Sequence, residues 1–600
     1  MPRTDTLVHR LADLAERRAD AVALRQPDPE GGFLERTWTH YRDDSREIAA
    51  GLISLGHQPG ECVALVGQNR IDWVLCELGI MSVRGIPAPI DTTLLQEQMA
   101  WIVAHAQARI AICDDREQLG KLLRSMDEGL VPRLERVVTM DELGLDDPRV
   151  MTLASLRKAG RAVDPGALQA RIDAITGDET ALLIYTSGTT GQPKAVQLDH
   201  TGMLMVADGL LQRVPGLEGS DRYAVVSYLP LCHVAEQIFT TMLHLSTGGQ
   251  VTFCADMTRI KEALLDVRPT VFLGVPRVWE KFQGAMAARF AEATGVKASL
   301  LAWARKTELD AFKREMETGR PEQGLTRKLA RALVLDKVRA ALGLDRLVIA
   351  ATGAAPIALE TLEFFASIGI VVHEGYGMSE TSGVATSTEP ARPRFGTVGR
   401  ALPGVELRIA EDGEILLRGR SMTRGYLRQP EQTAELLDAE GWLHTGDLGS
   451  MDGEGYLRIT GRKKDIIITA GGKNVAPAEM EGFIKQIPGI AQVVVVGDRQ
   501  PYLAALVTLN AETLAELAAA AGVQAAPAAD LAANPKIHAW IQAQVEQCCN
   551  QKVARYQTIK KLRILPADFS VEGGELTPTM KIKRNVVSER YREEIASLFE

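Results

Sequence analysis

The sequence predicts an α/β protein with a large N-terminal α/β domain of several subdomains and a small α+β C-terminal domain. One reason is the alternation of short apolar runs with helical patterns before about residue 400, which is typical of largely parallel sheets. Another is the change to charged, glycine-rich hairpin patterns beyond that point. A chain of 600 residues is also long enough to form several separate cores.

The first elements alternate as an α/β domain requires. Within the segment YRDDSREIAAGLISLG, Ile48, Leu52 and Leu55 fall on one helical face. A buried strand, CVALVG, and a helix, WVLCELGIMSVRG, follow it, and RIAICD, RVVTM and ALLIY are further predicted strands. The later runs PTVFLGVP, RLVIAATGAAP and GIVVHEGYG each end in small residues. We therefore expect several strand ends to converge on one site.

The pattern after residue 400 predicts a different architecture. The run GVELRIAEDGEILLRG has an acidic-glycine turn between alternating residues, which predicts a hairpin, and QVVVVGD and LAALVTLN are predicted strands. Residues 511–534 are rich in alanine and predict a helix followed by a loosely ordered insertion. The basic turn GRKK separates the two patterns, so we expect domains at 1–463 and 464–600 with a boundary at Lys464.

Charge and cysteine content exclude some classes of protein. The chain has 68 basic and 77 acidic residues, and the net charge of −9 argues against a nucleic-acid partner. No apolar run approaches the length of a membrane span, and the first residues lack the apolar core of a secretory signal. The seven cysteines show no metal-binding spacing, which predicts reduced thiols and a cytoplasmic location.

The stretch YTSGTTGQPKAV, residues 185–196, follows an apolar strand directly. Glycines allow backbone amides to approach an anion, hydroxyls add donors, and Lys194 adds a positive charge. The spacing is not that of a P-loop, because Pro193 precedes the lysine. A flexible linker is the alternative, but linkers do not usually follow an apolar strand. The stretch therefore favours phosphate binding.

This loop resembles the signature of the AMP-forming adenylate ligases, which include acyl-CoA synthetases, luciferases and non-ribosomal adenylation domains. Six later segments resemble further motifs of that family in the same order: YLPLCHVAEQ, TGAAP, EGYGMSE, GWLHTGDLG, GRKKDIIITAGGKN and ELTPTMKIKR. The resemblance covers roughly residues 180–585. It implies ATP, Mg²⁺ and coenzyme A as ligands, and a C-terminal domain that is mobile.

The resemblance also assigns residues to the nucleotide and thiol sites. These are Thr186, Ser187, Gly188, Thr189, Thr190, Gly191, Lys194, Gly353, Ala354, Ala355, Pro356, Glu374, Gly375, Tyr376, Gly377, Ser379, Asp447, Arg462, Lys464, Gly471 and Gly472. Thr186 and Glu380 are the expected magnesium ligands, since Mg²⁺ prefers hard oxygen donors.

Several of these residue types suit their assigned roles. Tyr376 offers a flat face for adenine, and Ser379 offers a donor for the α-phosphate. Asp447 has two oxygens for the two ribose hydroxyls, with Arg462 as a second ribose contact. The alternatives are a core tyrosine, a solvated glutamate at Glu380 and a simple turn at Asp447.

The predicted catalytic residues are Lys581, Lys194, His233 and Glu380. Lys581 resembles the family's mobile lysine, which stabilises charge on the α-phosphate. The family often has glycine before this lysine, whereas this chain has methionine, and Lys583 lies two residues on. Which lysine reaches the site is therefore open, as is a basic solvated tail. His233 resembles a histidine beside the carboxylate, and a structural histidine is the alternative.

The implied reaction activates a carboxylate as acyl-AMP and then transfers the acyl group to a thiol. Residues 268–282 resemble the long-chain and very-long-chain fatty acyl-CoA synthetases, so a fatty acid and CoA are the expected substrates. A fatty acyl-AMP ligase that serves a carrier protein, and a non-catalytic lipid- or nucleotide-binding module, are the alternatives. Peripheral association with a membrane surface and the choice between monomer and homodimer remain open.

Overall fold

The computed structural model describes residues 4–186, 192–214, 216–217, 222–570, 573–577 and 581–600. Five residues of the predicted phosphate loop lie outside these ranges, namely Ser187, Gly188, Thr189, Thr190 and Gly191.

The strands, in chain order, are β1 (Val22–Pro27), β2 (Phe33–Thr37), β3 (Cys62–Val66), β4 (Ile86–Ile90), β5 (Ile110–Cys113), β6 (Arg136–Thr139), β7 (Val150–Thr152), β8 (Thr180–Thr186), β9 (Lys194–Asp199), β10 (Ala224–Ser227), β11 (Gln250–Phe253), β12 (Val271–Leu273), β13 (Ile349–Thr352), β14 (Val372–Met378), β15 (Gly383–Ser387), β16 (Arg400–Ala401), β17 (Val405–Ile409), β18 (Glu414–Gly419), β19 (Leu443–Met451), β20 (Leu457–Arg462), β21 (Ile467–Ile468), β22 (Asn474–Val475), β23 (Ile490–Val496), β24 (Leu503–Leu509) and β25 (Ile559–Ile564).

The α-helices are α1 (Leu7–Arg17), α2 (Trp38–Ser54), α3 (Ile71–Ser82), α4 (Gln96–Ala106), α5 (Arg116–Asp127), α6 (Leu153–Gly160), α7 (Pro165–Asp173), α8 (His200–Leu211), α9 (Val234–Gln237), α10 (Leu243–Thr247), α11 (Ile260–Val267), α12 (Pro276–Ala291), α13 (Gly295–Thr318), α14 (Leu325–Ala330), α15 (Asp336–Ala340), α16 (Leu359–Ala366), α17 (Pro430–Leu436), α18 (Pro477–Ile484), α19 (Leu514–Ala520), α20 (Ala528–Ala532), α21 (Pro535–Val545), α22 (Arg584–Arg590) and α23 (Arg592–Ser597).

The alternating pattern forms largely parallel sheets, as predicted. One five-stranded sheet has the order β4-β3-β5-β6-β7 and is parallel throughout. A second has the order β12-β13-β14-β15-β16, with its first three strands parallel. The third, β10-β11-β1-β2, is joined by parallel pairs except at β2. Parallel strands place their carboxyl ends on one edge, where ligands bind in α/β proteins.

Local sequence explains the helix α2 and its neighbours. The Thr37 side chain caps α2 by accepting a hydrogen bond from the backbone of His40. Ile48 and Leu52 are fully buried on its inner face, while Leu55 is only half-buried just beyond its end. The next strand, β3, is buried along its whole length because helices cover both faces of a parallel sheet.

The strands after residue 400 form an antiparallel sheet, which confirms the predicted hairpin. β17 pairs with β18, and the sheet continues through β19 to β20. This pairing sets Asp447 of β19 directly opposite Arg462 of β20. The hairpin ladder therefore brings together two residues that the sequence placed in separate motifs.

The segment after Ile467 has its own buried apolar clusters, distinct from the large core of residues 7–457. β23 and β24 are antiparallel, and β25 joins them in parallel, so this part is α+β. The boundary at Lys464 stays a prediction.

One expectation for this segment was wrong. Residues 511–534 contain two helices, α19 and α20, rather than a helix and a loosely ordered insertion. Leu517 and Leu531 are almost completely buried in the local core. Alanine-rich composition did not reveal this burial, because alanines such as Ala518 share the buried face with the leucines and give little apolar contrast along the segment.

All seven cysteines are free, and all but Cys548 are buried. None of the helices in the described ranges combines the length and apolar character needed to cross a bilayer.

Candidate active site

A single cavity of about 1390 Å³ lies where the strand ends meet the C-terminal segment. Its lining includes Thr186 at the end of β8, Tyr376 of β14, Arg462 of β20 and Lys581. The volume exceeds the range of about 300–1,000 Å³ usual for small-molecule sites, so there is room for two substrates. We call this space the cavity below.

Two residues that line the cavity, Tyr376 and Arg462, both bond to Asp447. The Tyr376 hydroxyl donates to Asp447 Oδ2 at 2.8 Å, and Arg462 Nε donates to Oδ1 at 2.8 Å. Asp447 is only 6% exposed, whereas the Arg462 side chain is 60% exposed. The carboxylate is therefore fixed in position before any ligand arrives, and both of its oxygens already accept hydrogen bonds.

A second hydrogen-bonded set holds Glu380, which follows the cavity-lining residue Ser379 in the chain. The Tyr426 hydroxyl donates to Glu380 Oε1 at 2.7 Å, and the Lys194 ammonium lies 4.8 Å from the centre of the Tyr426 ring. Burial raises the pKa of Glu380, although Tyr426 and the charge of Lys194 act in the opposite direction. A buried carboxylate in this state is suited to a further cation.

Thr186 and Glu380 carry the oxygen donors that the sequence assigns to a magnesium ion. Thr186 lines the cavity, and among the described residues its hydroxyl makes a long, 3.5 Å contact with the carbonyl of Lys194, its partner across β8 and β9. Carboxylate and hydroxyl oxygens are hard ligands of the type that Mg²⁺ selects. The two strands are antiparallel, so the predicted phosphate loop joins a hairpin rather than a strand and a helix.

The first residues of EGYGMSE also face the cavity. Gly377 needs to be glycine, because an added Cβ would lie 1.8 Å from the backbone oxygen of Gly383. Burial raises the pKa of Glu374 to about 8, so this carboxyl group is protonated near neutral pH and can donate a hydrogen bond. Gly375 and Ser379 line the cavity beside them.

The TGAAP motif divides between the cavity and the surface. Gly353 and Ala354 line the cavity just beyond β13, and Ala354 has a φ of 69°, in the left-handed region. Ala355 and Pro356 are exposed and do not line it. The first two residues of this motif are therefore accessible to a ligand in the cavity, and the nucleotide contact of the motif stays a prediction.

Lys581 reaches the cavity from the C-terminal segment. Dense surrounding protein lowers the pKa of Lys581, and the charge of Arg462 lowers it further, whereas Asp447 and Glu380 raise it. The residue is nevertheless accessible to water, because the cavity itself is wide and open beside it. Lys583 also lines the cavity. The charges of Asp447 and Glu380 act on Lys581, and the choice between the two lysines stays a prediction.

His233 lies at the start of α9 and lines the cavity, with its side chain 27% exposed. Its Nε2 atom is 3.5 Å from Oδ2 of Asp91, a residue that the sequence did not single out. The next residues are structural in this arrangement. Buried Glu236 accepts hydrogen bonds from the backbone of Leu229 and the hydroxyl of Thr240.

The predicted thiol-site glycines lie elsewhere. Gly471 and Gly472 occupy the exposed turn between β21 and β22 and are absent from the cavity lining. Lys464 lies in a 3₁₀ turn, Lys463–Asp465, and lines the cavity. In this conformation, therefore, Lys581 lines the cavity and the glycine turn does not.

Part of the cavity wall is apolar, and we call this part the apolar lining. It consists of Leu211, Phe239, Leu243, Val271 and Leu273. Of these positions the sequence predicted only Val271 and Leu273 as part of an apolar strand, because a residue that faces a cavity and one that faces the core follow the same pattern.

Sequence reasoning also missed Tyr426, which bonds to Glu380 from a different part of the chain. Its only local signal is a tyrosine between Gly425 and Leu427, which is too common to indicate a site.

Comparison with known proteins identifies the class. Residues 11–427 match the family model of the AMP-binding enzymes, and residues 464–600 match that of the AMP-binding enzyme C-terminal domain. The chain belongs to the AMP-binding enzyme family.

Two similar proteins within this family carry the same name. The long-chain-fatty-acid–CoA ligase ACSBG2 of Xenopus laevis is 36% identical over 97% of this chain and 81% of its own length. FadD15 of Mycobacterium tuberculosis, also named a long-chain-fatty-acid–CoA ligase, is 37% identical over 95% of this chain and 93% of its own length.

Solved structures share the fold at lower identity. The anthranilate CoA ligase AuaEII, in complex with anthranoyl-AMP, has a TM-score of 0.74 at 20% identity, with 99% of each chain covered. The A-PCP didomain of a carboxylic acid reductase from Segniliparus rugosus, in complex with AMP, has a TM-score of 0.74 at 21% identity over 99% of this chain and 82% of that chain.

Proposed function

We propose that this protein activates a long-chain fatty acid with ATP to form acyl-AMP and pyrophosphate, and then transfers the acyl group to coenzyme A with release of AMP. The observation that carries this proposal is one cavity whose lining combines Tyr376 and Arg462, which hold Asp447 between them, with Ser379, Lys581 and the apolar lining. The names of the relatives support the same reaction.

The first half-reaction needs no protein nucleophile. The fatty-acid carboxylate attacks the α-phosphorus of ATP and pyrophosphate leaves, so the protein contributes position and charge. Tyr376 stacks against adenine, Asp447 and Arg462 hold the ribose, and Ser379 donates to the α-phosphate. The residues of the phosphate loop between Thr186 and Lys194 hold the other phosphates. The Lys581 ammonium stabilises the charge that develops at the α-phosphorus.

Glu380 and Thr186 are the residues that hold magnesium in this proposal. When bound, the ion neutralises charge on the phosphates. Glu374, in its protonated form, donates a hydrogen bond within the cavity.

The second half-reaction requires a different arrangement of the C-terminal segment. Transfer to CoA needs Lys581 to leave and the turn at Gly471 and Gly472 to approach the cavity, with Lys464 as the hinge. The position of these glycines away from the cavity supports a two-orientation cycle.

A panel of acids tests this function. Palmitate and other medium to very long saturated acids should support ATP–pyrophosphate exchange and CoA-dependent AMP formation, whereas acetate should not. Strong activity with acetate or benzoate and none with palmitate would contradict the proposal that the substrate is a long-chain fatty acid. Exchange without transfer to CoA would instead favour an acyl-AMP ligase that serves a carrier protein, and the absence of exchange with any acid would favour a non-catalytic module.

Location and assembly are part of the proposal. Seven free cysteines support a reducing, cytoplasmic compartment, where the protein collects its apolar substrate at a membrane surface. Flotation with vesicles tests this attachment, and analytical ultracentrifugation distinguishes monomer from homodimer.

A further inference from the structure

Three side chains of different chemistry converge on one point of the cavity wall. Asp91 Oδ2 lies 3.7 Å from Cys232 Sγ and 3.5 Å from His233 Nε2, and the three donor atoms lie within 4.8 Å of one another. All three residues line the cavity. The His233–Asp91 contact is longer than an ordinary N–H···O hydrogen bond of about 2.7–3.2 Å, and the Cys232 thiol donates to Asp91 Oδ2 across the longer distance that sulfur allows.

The spacing matches a tetrahedral zinc site. Zinc binds sulfur at about 2.3 Å and nitrogen or oxygen at about 2.0–2.2 Å, which places tetrahedral donor atoms about 3.3–3.6 Å apart. The two distances from the Asp91 oxygen are close to this range, and the donor atoms of Cys232 and His233 lie within 4.8 Å of each other. One carboxylate, one imidazole and one thiolate are all ligands that zinc accepts.

The aspartate is held in a ligating orientation. The backbone amide and hydroxyl of Thr93 both donate to Asp91 Oδ1, at 2.9 and 2.7 Å, which turns Oδ2 toward Cys232 and His233. Outer hydrogen bonds of this kind orient metal ligands. Asp91 follows β4, whereas the other two residues precede α9, so only the folded chain assembles the set.

We propose that Asp91, Cys232 and His233 form an inhibitory zinc site whose fourth position faces the cavity. One carboxylate and one thiolate balance the two charges of the ion, which suits a buried location. Burial raises the pKa of the Cys232 thiol, so binding releases one thiol proton to solvent.

The inhibitory effect rests on the proposed function. A zinc ion here would withdraw His233 from the substrate and hold the fatty-acid carboxylate as the fourth ligand, away from the α-phosphorus of ATP. Zinc would therefore slow acyl-AMP formation, and a chelator would restore it.

Cobalt titration of the chelator-treated protein tests the site without activity. Co²⁺ should produce a thiolate-to-cobalt charge-transfer band that Zn²⁺ displaces. The band should vanish in Cys232→Ser, while Asp91→Asn and His233→Ala should weaken zinc binding, measured against a chromophoric chelator, by at least about tenfold. Cys548→Ser, which removes the most accessible thiol of the chain, should retain the wild-type band and affinity. No band in the wild type, or unchanged zinc affinity in Cys232→Ser, would refute the site.

An activity assay distinguishes a failure of the zinc site from a failure of the proposed function. Fatty-acid-dependent ATP–pyrophosphate exchange, at fixed Mg²⁺, should fall with added Zn²⁺ in the wild type and in Cys548→Ser. Zinc binding without loss of exchange would refute the inhibitory role. If the chelator-treated protein shows no exchange with any fatty acid, the proposed function fails, while the cobalt spectra still decide whether the site exists.

Discussion

The two sides of the cavity differ in how firmly they hold their functional groups. The side formed by residues before 464 fixes Asp447 with hydrogen bonds from Tyr376 and Arg462, and Glu380 with one from Tyr426. The side formed by the C-terminal segment presents Lys581, whose ammonium has no hydrogen-bond partner among the described residues. One side is preorganised, and the other supplies a charge that is free to leave.

This difference suits a reaction with two steps. In the proposed reaction, the groups that hold the nucleotide should stay in place through both half-reactions, whereas Lys581 is needed only while charge develops on the α-phosphate. Substitutions on one side of the cavity at a time test this difference between the two sides.

The largest effect is expected for Lys581→Ala. Loss of a cation aimed at developing charge should slow acyl-AMP formation by about 10²–10³-fold and leave thiolysis of supplied acyl-AMP nearly unchanged. Rapid quench measures both half-reactions. Lys583→Ala is the matched control, and a larger loss in that variant would assign the role to Lys583 instead. An effect of Lys581→Ala on thiolysis alone would contradict the proposed role of Lys581 in acyl-AMP formation.

The second-largest effect is expected for Asp447→Ala. Charge-assisted hydrogen bonds contribute about 1.5–3 kcal/mol each, so ATP affinity should fall tenfold or more, while fatty-acid affinity changes little. Calorimetry measures both. Asp452→Ala alters the exposed turn of the same β19–β20 hairpin and should keep wild-type ATP affinity. Unchanged ATP affinity in Asp447→Ala would show that Asp447 is not part of the nucleotide site.

Lys464→Pro should have a smaller, step-specific effect. Proline fixes φ and disfavours the helical conformation of Lys463, which lies in the same 3₁₀ turn. We expect transfer to CoA to slow several-fold while acyl-AMP formation remains measurable. Lys464→Ala removes the same side chain without fixing the backbone, so it should transfer faster than the proline variant. Equal slowing of both half-reactions in Lys464→Pro would contradict a hinge here.

The smallest expected effect is a change in pH dependence. A lysine acts while protonated, below its pKa, and burial lowers the pKa of Lys581 from its usual value. The rate of acyl-AMP formation should therefore decline as pH rises, below the range in which an exposed lysine titrates. Arginine stays charged throughout, so Lys581→Arg should lose this alkaline decline even if its maximum rate is lower. A decline that persists in Lys581→Arg would assign it to another group.

Local sequence was sufficient for the elements and for the motif residues. Period-2 and period-3.6 patterns report burial within one element, which is why α2, β3 and the β17–β18 hairpin were predictable. The same patterns could not find Leu517 and Leu531 as anchors of two short helices, since each has little periodicity of its own.

What the sequence by itself determined is the α/β class and the family, through the order of seven motifs and the residues that they contain. Only the tertiary structure decided which of them meet. Tyr376 bonds to Asp447 across 71 positions, and Asp91 lies beside Cys232 across 141. Strand order and register set such contacts, and these depend on how whole elements pack, which no local pattern records.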